Sequence, residues 1–260
     1  MKGKQPIMKK DNQQTIISLL IIFLFITTAC SSISAAPITT DSQNNTENLT
    51  AEASREDSLP EGFVYLTEII PDVILDIRYF STHNFMQSRV DHYLAPVAII
   101  TREAAEALAL ANNELKTKGY IIKVFDAYRP QSATDHFIRW GQDENDISGK
   151  ANFYPDLTKR QLFAEVYLGV RSAHTRGSTI DLTIVNMRTK RDVDMGSPFD
   201  FFGPISHHGS RLVTEEQANN RLILKTAMER AGFRAYEKEW WHYSLINEPF
   251  PNTFFNFPVK

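Results

Sequence analysis

Cysteine is almost missing from this chain. Its 260 residues hold one, Cys30. No disulfide can form within the chain, and a metal site would have to use nitrogen and oxygen ligands instead of thiolates. Excess charge of either sign is missing too. The 28 Lys and Arg against 31 Asp and Glu leave a formal net charge of -3, which gives no electrostatic case for a nucleic-acid partner. Long hydrophobic runs are also lacking. The stretch from Ile16 to Ile26, interrupted by Ser18, falls short of the ~20 residues a membrane-spanning helix needs. No internal repeat is visible. What remains is 42% hydrophobic and 23% charged, the balance of an ordinary globular protein, which excludes both a wholly disordered chain and a membrane bundle.

The apolar run has a context. Lys2, Lys4, Lys9 and Lys10 precede it; Thr27, Thr28 and Ala29 follow, and then Cys30. A basic start, an apolar middle and a small-residue end make an export signal. One that ends at a lone cysteine resembles the bacterial lipoprotein signal, although Thr27 and Thr28 are unusual there. Cleavage near Ala35 or Ala36, with Cys30 discarded, is the alternative. The expectation is an exported periplasmic or cell-envelope protein that touches the membrane only through lipid on Cys30. Residues 31–58 are polar and cannot bury enough surface to fold, so they read as a tether. The expected organisation is a signal peptide over 1–29, the lipidated cysteine and linker over 30–60, and one domain over 61–260.

Within that domain, Val73–Tyr79 reads as a strand. Thr101 is placed to cap a helix that stops at Gly119. Tyr120–Phe125 is a second strand leading into Asp126-Ala127-Tyr128-Arg129-Pro130, and Pro130 suits the first turn of a helix whose Ala133, Phe137 and Trp140 share a face. Thr158 can cap a short helix through Val166. Asp181–Val185 alternates as a strand. Thr214 and Gln217 form a capping-box pattern for a helix that ends at Gly232. His242–Ile246 is a last strand. Strands and helices mix without regular alternation, so the fold class is α+β.

Three clusters carry chemistry. His174 and Asp181 lie either side of Gly177. Imidazole nitrogen and carboxylate oxygen suit zinc, and a glycine bend between them could bring together side chains that a straight strand would part. Alone, this pair is weak evidence. Glu239 stands three residues before His242, a possible base beside a possible ligand. A catalytic zinc site needs three protein ligands, an open position and a nearby carboxylate, and these four residues fill those places. The plainer alternative makes His242 a half-buried strand residue and Glu239 a surface charge. Arg129 follows a strand end, where functional side chains often project; its plainer role is an ion pair with Asp126. His83, His92 and His136 show no ligand spacing. Trp240 and Trp241 read as packing.

DAYRPQSA (126–133), SAHTRGSTIDLT (172–183), MGSPFDFF (195–202), SHH (206–208), KEWWHY (238–243) and NEPFPNTFFNFPVK (247–260) together resemble the VanX-type D-alanyl-D-alanine dipeptidases. The resemblance runs through roughly 63–260 in order. It implies a single zinc-peptidase domain with a central antiparallel sheet flanked by helices, and one zinc ion per chain on His174, Asp181 and His242. Glu239 would be the catalytic base and Arg129 the transition-state stabiliser. Asp200 would hold the substrate ammonium, and Ser172 and Tyr167 would line the pocket. His207 and His208 match the family without being ligands, and Ala173 departs from it where relatives carry a second serine. The implied partner is a small D,D-dipeptide, with no nucleic acid and no obligate protein. D,D-carboxypeptidase or other peptidoglycan peptidase activity is the nearest alternative. A non-catalytic wall-binding lipoprotein would be expected to have lost a ligand or the base, and neither is lost. Salvage of wall peptides suits an exported enzyme better than a vancomycin-resistance role, which needs the cytoplasm.

Overall fold

The structure, a computed structural model, describes residues 58–260. The expected signal peptide, Cys30 and most of the linker lie outside them. The elements in chain order are β1 (Phe63–Tyr65), α1 (Leu66–Ile69), β2 (Ile74–Leu75), β3 (Ile99–Thr101), α2 (Arg102–Thr117), β4 (Tyr120–Asp126), α3 (Gln131–Gln142), α4 (Lys150–Phe153), α5 (Lys159–Ala164), β5 (Thr179–Asn186), α6 (Glu215–Arg230), β6 (Phe233–Ala235) and β7 (His242–Leu245).

Five strands form the main sheet in the order β2-β4-β5-β7-β6, and β1 pairs with β3 in a separate ribbon. The mixture of helices and sheet agrees with the α+β class. The expected antiparallel sheet needs one correction: β2 runs parallel to β4, because their connection passes through the β3 ribbon and α2 instead of a hairpin. β4 and β5 make the long central pair. Seven of the eight β5 residues are buried, so the alternation of its sequence marks two covered faces and not an inside and an outside.

The local signals hold in part. Capping boxes at Thr158–Gln161 and Thr214–Gln217 open α5 and α6. Gly119 and Gly232 follow α2 and α6 at positive φ, the role glycine fills most cheaply. Thr101 precedes α2 but caps nothing. Its hydroxyl sits 2.7 Å from that of Ser178 instead, which ties α2 to the approach to β5. Val73–Tyr79 is not one strand. Pairing covers only Ile74 and Leu75, and the chain then turns through Arg78–Phe80, burying Tyr79 and carrying its hydroxyl to Asp200 at 3.0 Å.

Residues 247–260 have little regular structure, yet they act as a strap. Phe63, Phe250, Phe255 and Phe257 pack ring against ring, and Tyr128 stacks on Phe257 with centroids 4.0 Å apart. Backbone bonds fasten the strap to two loops. The Phe255 N–H donates to Thr175 at 3.0 Å, and the Gln131 N–H donates to Phe255 at 3.1 Å. Those two loops carry His174 and Arg129.

Candidate metal centre and its cavity

The sheet register aligns three chemical groups. Asp126 on β4 pairs with Asp181 on β5, and Asp181 pairs with His242 on β7. His174 arrives from the short turn Ala173–Arg176, which ends in Gly177 at φ 86°. A Cβ at Gly177 would stand 2.3 Å from the Phe63 ring, so the bend needs glycine for its backbone angle and for its missing side chain. It folds His174 back over Asp181, the approach that a glycine bend between them allows.

Facing atoms are close. His174 Nε2 lies 3.3 Å from Asp181 Oδ2 and 3.3 Å from His242 Nδ1, and His242 Nδ1 lies 3.0 Å from Asp181 Oδ1. His174 and Asp181 are buried, and Asp181 Oδ1 receives no hydrogen bond despite its burial. The His174 Nδ1–H donates to the Ala127 carbonyl at 2.7 Å, which leaves the Nε2 lone pair turned inward. Lone pairs aimed at one point, with an orphaned carboxylate oxygen among them, are mutually repulsive unless a cation joins them. Ligands about 2.0–2.1 Å from a tetrahedral ion stand roughly 3.3–3.4 Å apart, which matches the spacing here. The three residues therefore fit a divalent metal of the zinc type, and they form the metal-capable group found among the described residues.

Around this centre is a cavity of about 340 Å³ whose lining includes Arg129, Tyr167, Ser172, Asp200 and Glu239. All five expected residues are thus brought to one place. Glu239 Oε2 lies 3.6 Å from His242 Nδ1. Arg129 is held through Nε and a terminal nitrogen by Asp126 Oδ2 at 2.9 and 2.8 Å, so the plainer reading of Arg129 is also realised. The ion pair fixes the guanidinium 3.6 Å from Asp181 Oδ2. Ser172 accepts the His174 backbone N–H through its hydroxyl, and Tyr167 bonds His207 at 2.8 Å. Trp240 and Trp241 are buried and do not line the cavity. His83, His92 and His136 bond Arg78, Ser132 and Asp91, away from the centre.

Burial raises the Glu239 carboxyl well above its ordinary value, and repulsion from Asp181 and Asp200 adds to this. Burial likewise raises Asp200, helped by Asp181. Burial alone would raise Asp181 too, but its contacts with His174 and His242 outweigh this and hold it below the ordinary carboxylate value. The cavity therefore contains one firmly ionised carboxylate and two that readily take protons.

A model of the D-ala-D-ala dipeptidase family matches residues 60–260. The chain belongs to this family. It is 40% identical over 202 residues to the D-alanyl-D-alanine dipeptidase of Enterococcus faecalis, covering 78% of this chain and 100% of the relative. It is 38% identical over 197 residues to that of Streptomyces coelicolor, covering 76% and 98%. The Escherichia coli dipeptidase is 29% identical over 182 residues, covering 70% and 83%. Membership of this dipeptidase family makes the chain a metallopeptidase.

Two tyrosines, one lining the dipeptidase cavity and one behind Arg129, were not singled out from sequence. Tyr79 bonds Asp200, and its ring lies 4.9 Å from the Arg129 guanidinium. Tyr93 donates its hydroxyl to Asp126, which in turn holds Arg129. Asp126 was visible in DAYRP as the neighbour of Arg129; no local pattern marks the two tyrosines.

His208 has no place in the centre. Its Nε2 is buried without a hydrogen-bond partner, and burial pushes its pKa down to about 4, with Lys225 and Arg221 adding to the effect. A folded-state value below the unfolded ~6.5 means that this neutral histidine favours the fold above pH ~6.5 and costs stability as pH falls. The loss should reach about 2 kcal/mol by pH 5. Urea unfolding at pH 7 and pH 5 checks this: the His208→Leu protein should show a correspondingly smaller pH difference, and an unchanged difference would clear His208 of the effect.

Proposed function

We propose that this chain hydrolyses free D-Ala-D-Ala to two D-alanines with one zinc ion on His174, Asp181 and His242. The observation that carries the reading is the single cavity in which those ligands, Glu239, Arg129 and Asp200 meet. Bound zinc would supply a Lewis acid for the attacked carbonyl and lower the pKa of water. Glu239, its carboxyl raised by burial, takes the water proton and returns it to the departing amine, a cycle to which a more basic carboxylate is suited. Arg129, clamped by Asp126, presents its guanidinium to the oxygen that becomes negative. Asp200 pairs the substrate ammonium and is ionised by doing so. A substrate with a blocked amine would leave that carboxyl buried without its partner.

Chelation should abolish hydrolysis of D-Ala-D-Ala, and added zinc should restore it. L-Ala-L-Ala and N-acetyl-D-Ala-D-Ala should be poor substrates beside it. Efficient cleavage of the acetylated compound would replace this reading with a carboxypeptidase, and full activity in metal-free protein would remove the metal from the mechanism. For location, we propose export and a lipid anchor on Cys30, supported by the leader alone, with recovery of D-alanine from wall turnover as the use. Cys30→Ser should release the protein from the membrane fraction.

A further inference from the structure

A second cavity, of about 370 Å³, shares no lining residue with the metal centre. The chain that enters α4 and the chain that leaves it form its walls. Most of its polar groups are satisfied. Asp146 accepts Ser148 and, at 2.9 Å, the Trp140 indole N–H, and it lies 3.7 Å from the Lys159 ammonium. Lys159 is buried and donates to the Trp140 and Asp143 carbonyls at 2.9 and 2.8 Å. Glu144 pairs with Arg160 at 3.0 Å. Each acid of the lining is thus matched by a cation, and Thr158 is occupied by its capping box.

Two groups are left over. Tyr154 is 1% exposed, yet its hydroxyl is buried without a hydrogen-bond partner among the described residues. A buried donor left unmet destabilises the fold, and few native hydroxyls stay so without a reason. Burial raises its pKa to about 12, with Asp146 adding to this, so it remains a donor. Lys150 has no carboxylate partner among the described residues. Its ammonium donates to the Leu157 carbonyl and stands 5.6 Å from the centre of the Tyr154 ring. An ammonium has three donors, and the carbonyl takes one. Both leftover groups therefore donate, and one is charged, which calls for an anionic acceptor. Ile147, in the same lining, is an exposed apolar side chain. We infer that this cavity is a second binding site, for the carboxylate at the C-terminal end of a peptide, held by Lys150 and the Tyr154 hydroxyl with the terminal side chain against Ile147. A free amino acid fits less well, because its ammonium would find both acids already matched. The site does not rest on the dipeptidase reading, since it uses no group of the metal centre.

The Trp140 indole N–H bonds Asp146 in this lining, so its resonance in nitrogen–proton spectra of the zinc-loaded protein reports occupancy. N-acetyl-D-alanine should shift it saturably, with Kd on the order of 1–10 mM for so few contacts. N-acetyl-D-alaninamide, without the charge, and D-alanine should each bind at least about 5-fold more weakly. Lys150→Gln loses the charge, and Tyr154→Phe removes only the hydroxyl. Each should weaken N-acetyl-D-alanine about 5–20-fold and leave turnover of D-Ala-D-Ala unchanged. Tyr154→Phe should melt no lower than wild type, because it deletes an unmet donor. A lower melting temperature would give the hydroxyl an internal role and overturn the site. So would an absent shift, an equal response to the amide, or normal binding in both variants. D-alanine binding as tightly as the acetylated compound would overturn the peptide end as the occupant.

Discussion

Glu239→Gln is expected to hold one zinc ion per chain and to lose about 10²–10⁴ in kcat on D-Ala-D-Ala, the range general-base catalysis spans. The glutamine keeps the size of the side chain and can still bond water, but it cannot accept a proton. Three features make the loss large. Glu239 is 7% exposed, so bulk water is a poor substitute base. Its carboxyl is raised by burial and by Asp181 and Asp200. Its oxygen is 3.6 Å from His242 Nδ1, close enough to act on water at the centre without being one of the facing trio. Zinc content by elemental analysis separates this outcome from metal loss. Wild-type turnover in a variant of full zinc content would take Glu239 out of the chemistry.

His174→Ala should fail in another way. It should copurify with less than about one tenth of the wild-type zinc and show no turnover above background, because two remaining protein ligands hold the ion poorly. The damage goes beyond one ligand. The imidazole also occupies the Ala127 carbonyl at 2.7 Å and lies 3.4 Å from Asp126, the carboxylate that holds Arg129. Its removal therefore leaves a buried carbonyl unpaired and loosens the arginine clamp. Excess zinc should then rescue the activity of His174→Ala incompletely even where it restores occupancy. Restoration of full kcat by zinc alone would show that His174 serves only as a ligand.

The parts of the centre were visible as short local patterns, weak by themselves, and the resemblance to the dipeptidases gave them their implied roles. His174, Gly177 and Asp181 declare a bend by the glycine between them, and Glu239 and His242 sit three residues apart. Their convergence was not legible in spacing, since it depends on β5 lying between β4 and β7, and pairing order is a long-range property. The parallel placement of β2 was hidden for the same reason. Thr101 misled as a cap because its hydroxyl partner, Ser178, is 77 residues away. Tyr79 was lost within a run of strand-forming residues whose pairing ends at Leu75; the turn that follows is selected by what Tyr79 reaches.

The aromatic strap has a consequence for the order in which the molecule is made. The proposed ligands, the proposed base and the clamped arginine all precede Asn247 in the chain, yet the loops bearing His174 and Arg129 are fastened by Phe255, and Tyr128 bonds Phe257 across 129 residues. Synthesis from the N-terminus delivers all the chemistry first and its fastening last. A nascent chain that has just emitted His242 would possess every group proposed for the reaction and still lack the bonds from Phe255 to the two loops. Metal capture and turnover would then begin abruptly, when the phenylalanine-rich segment docks, and the same docking would be the step at which a ragged or nicked product is found wanting.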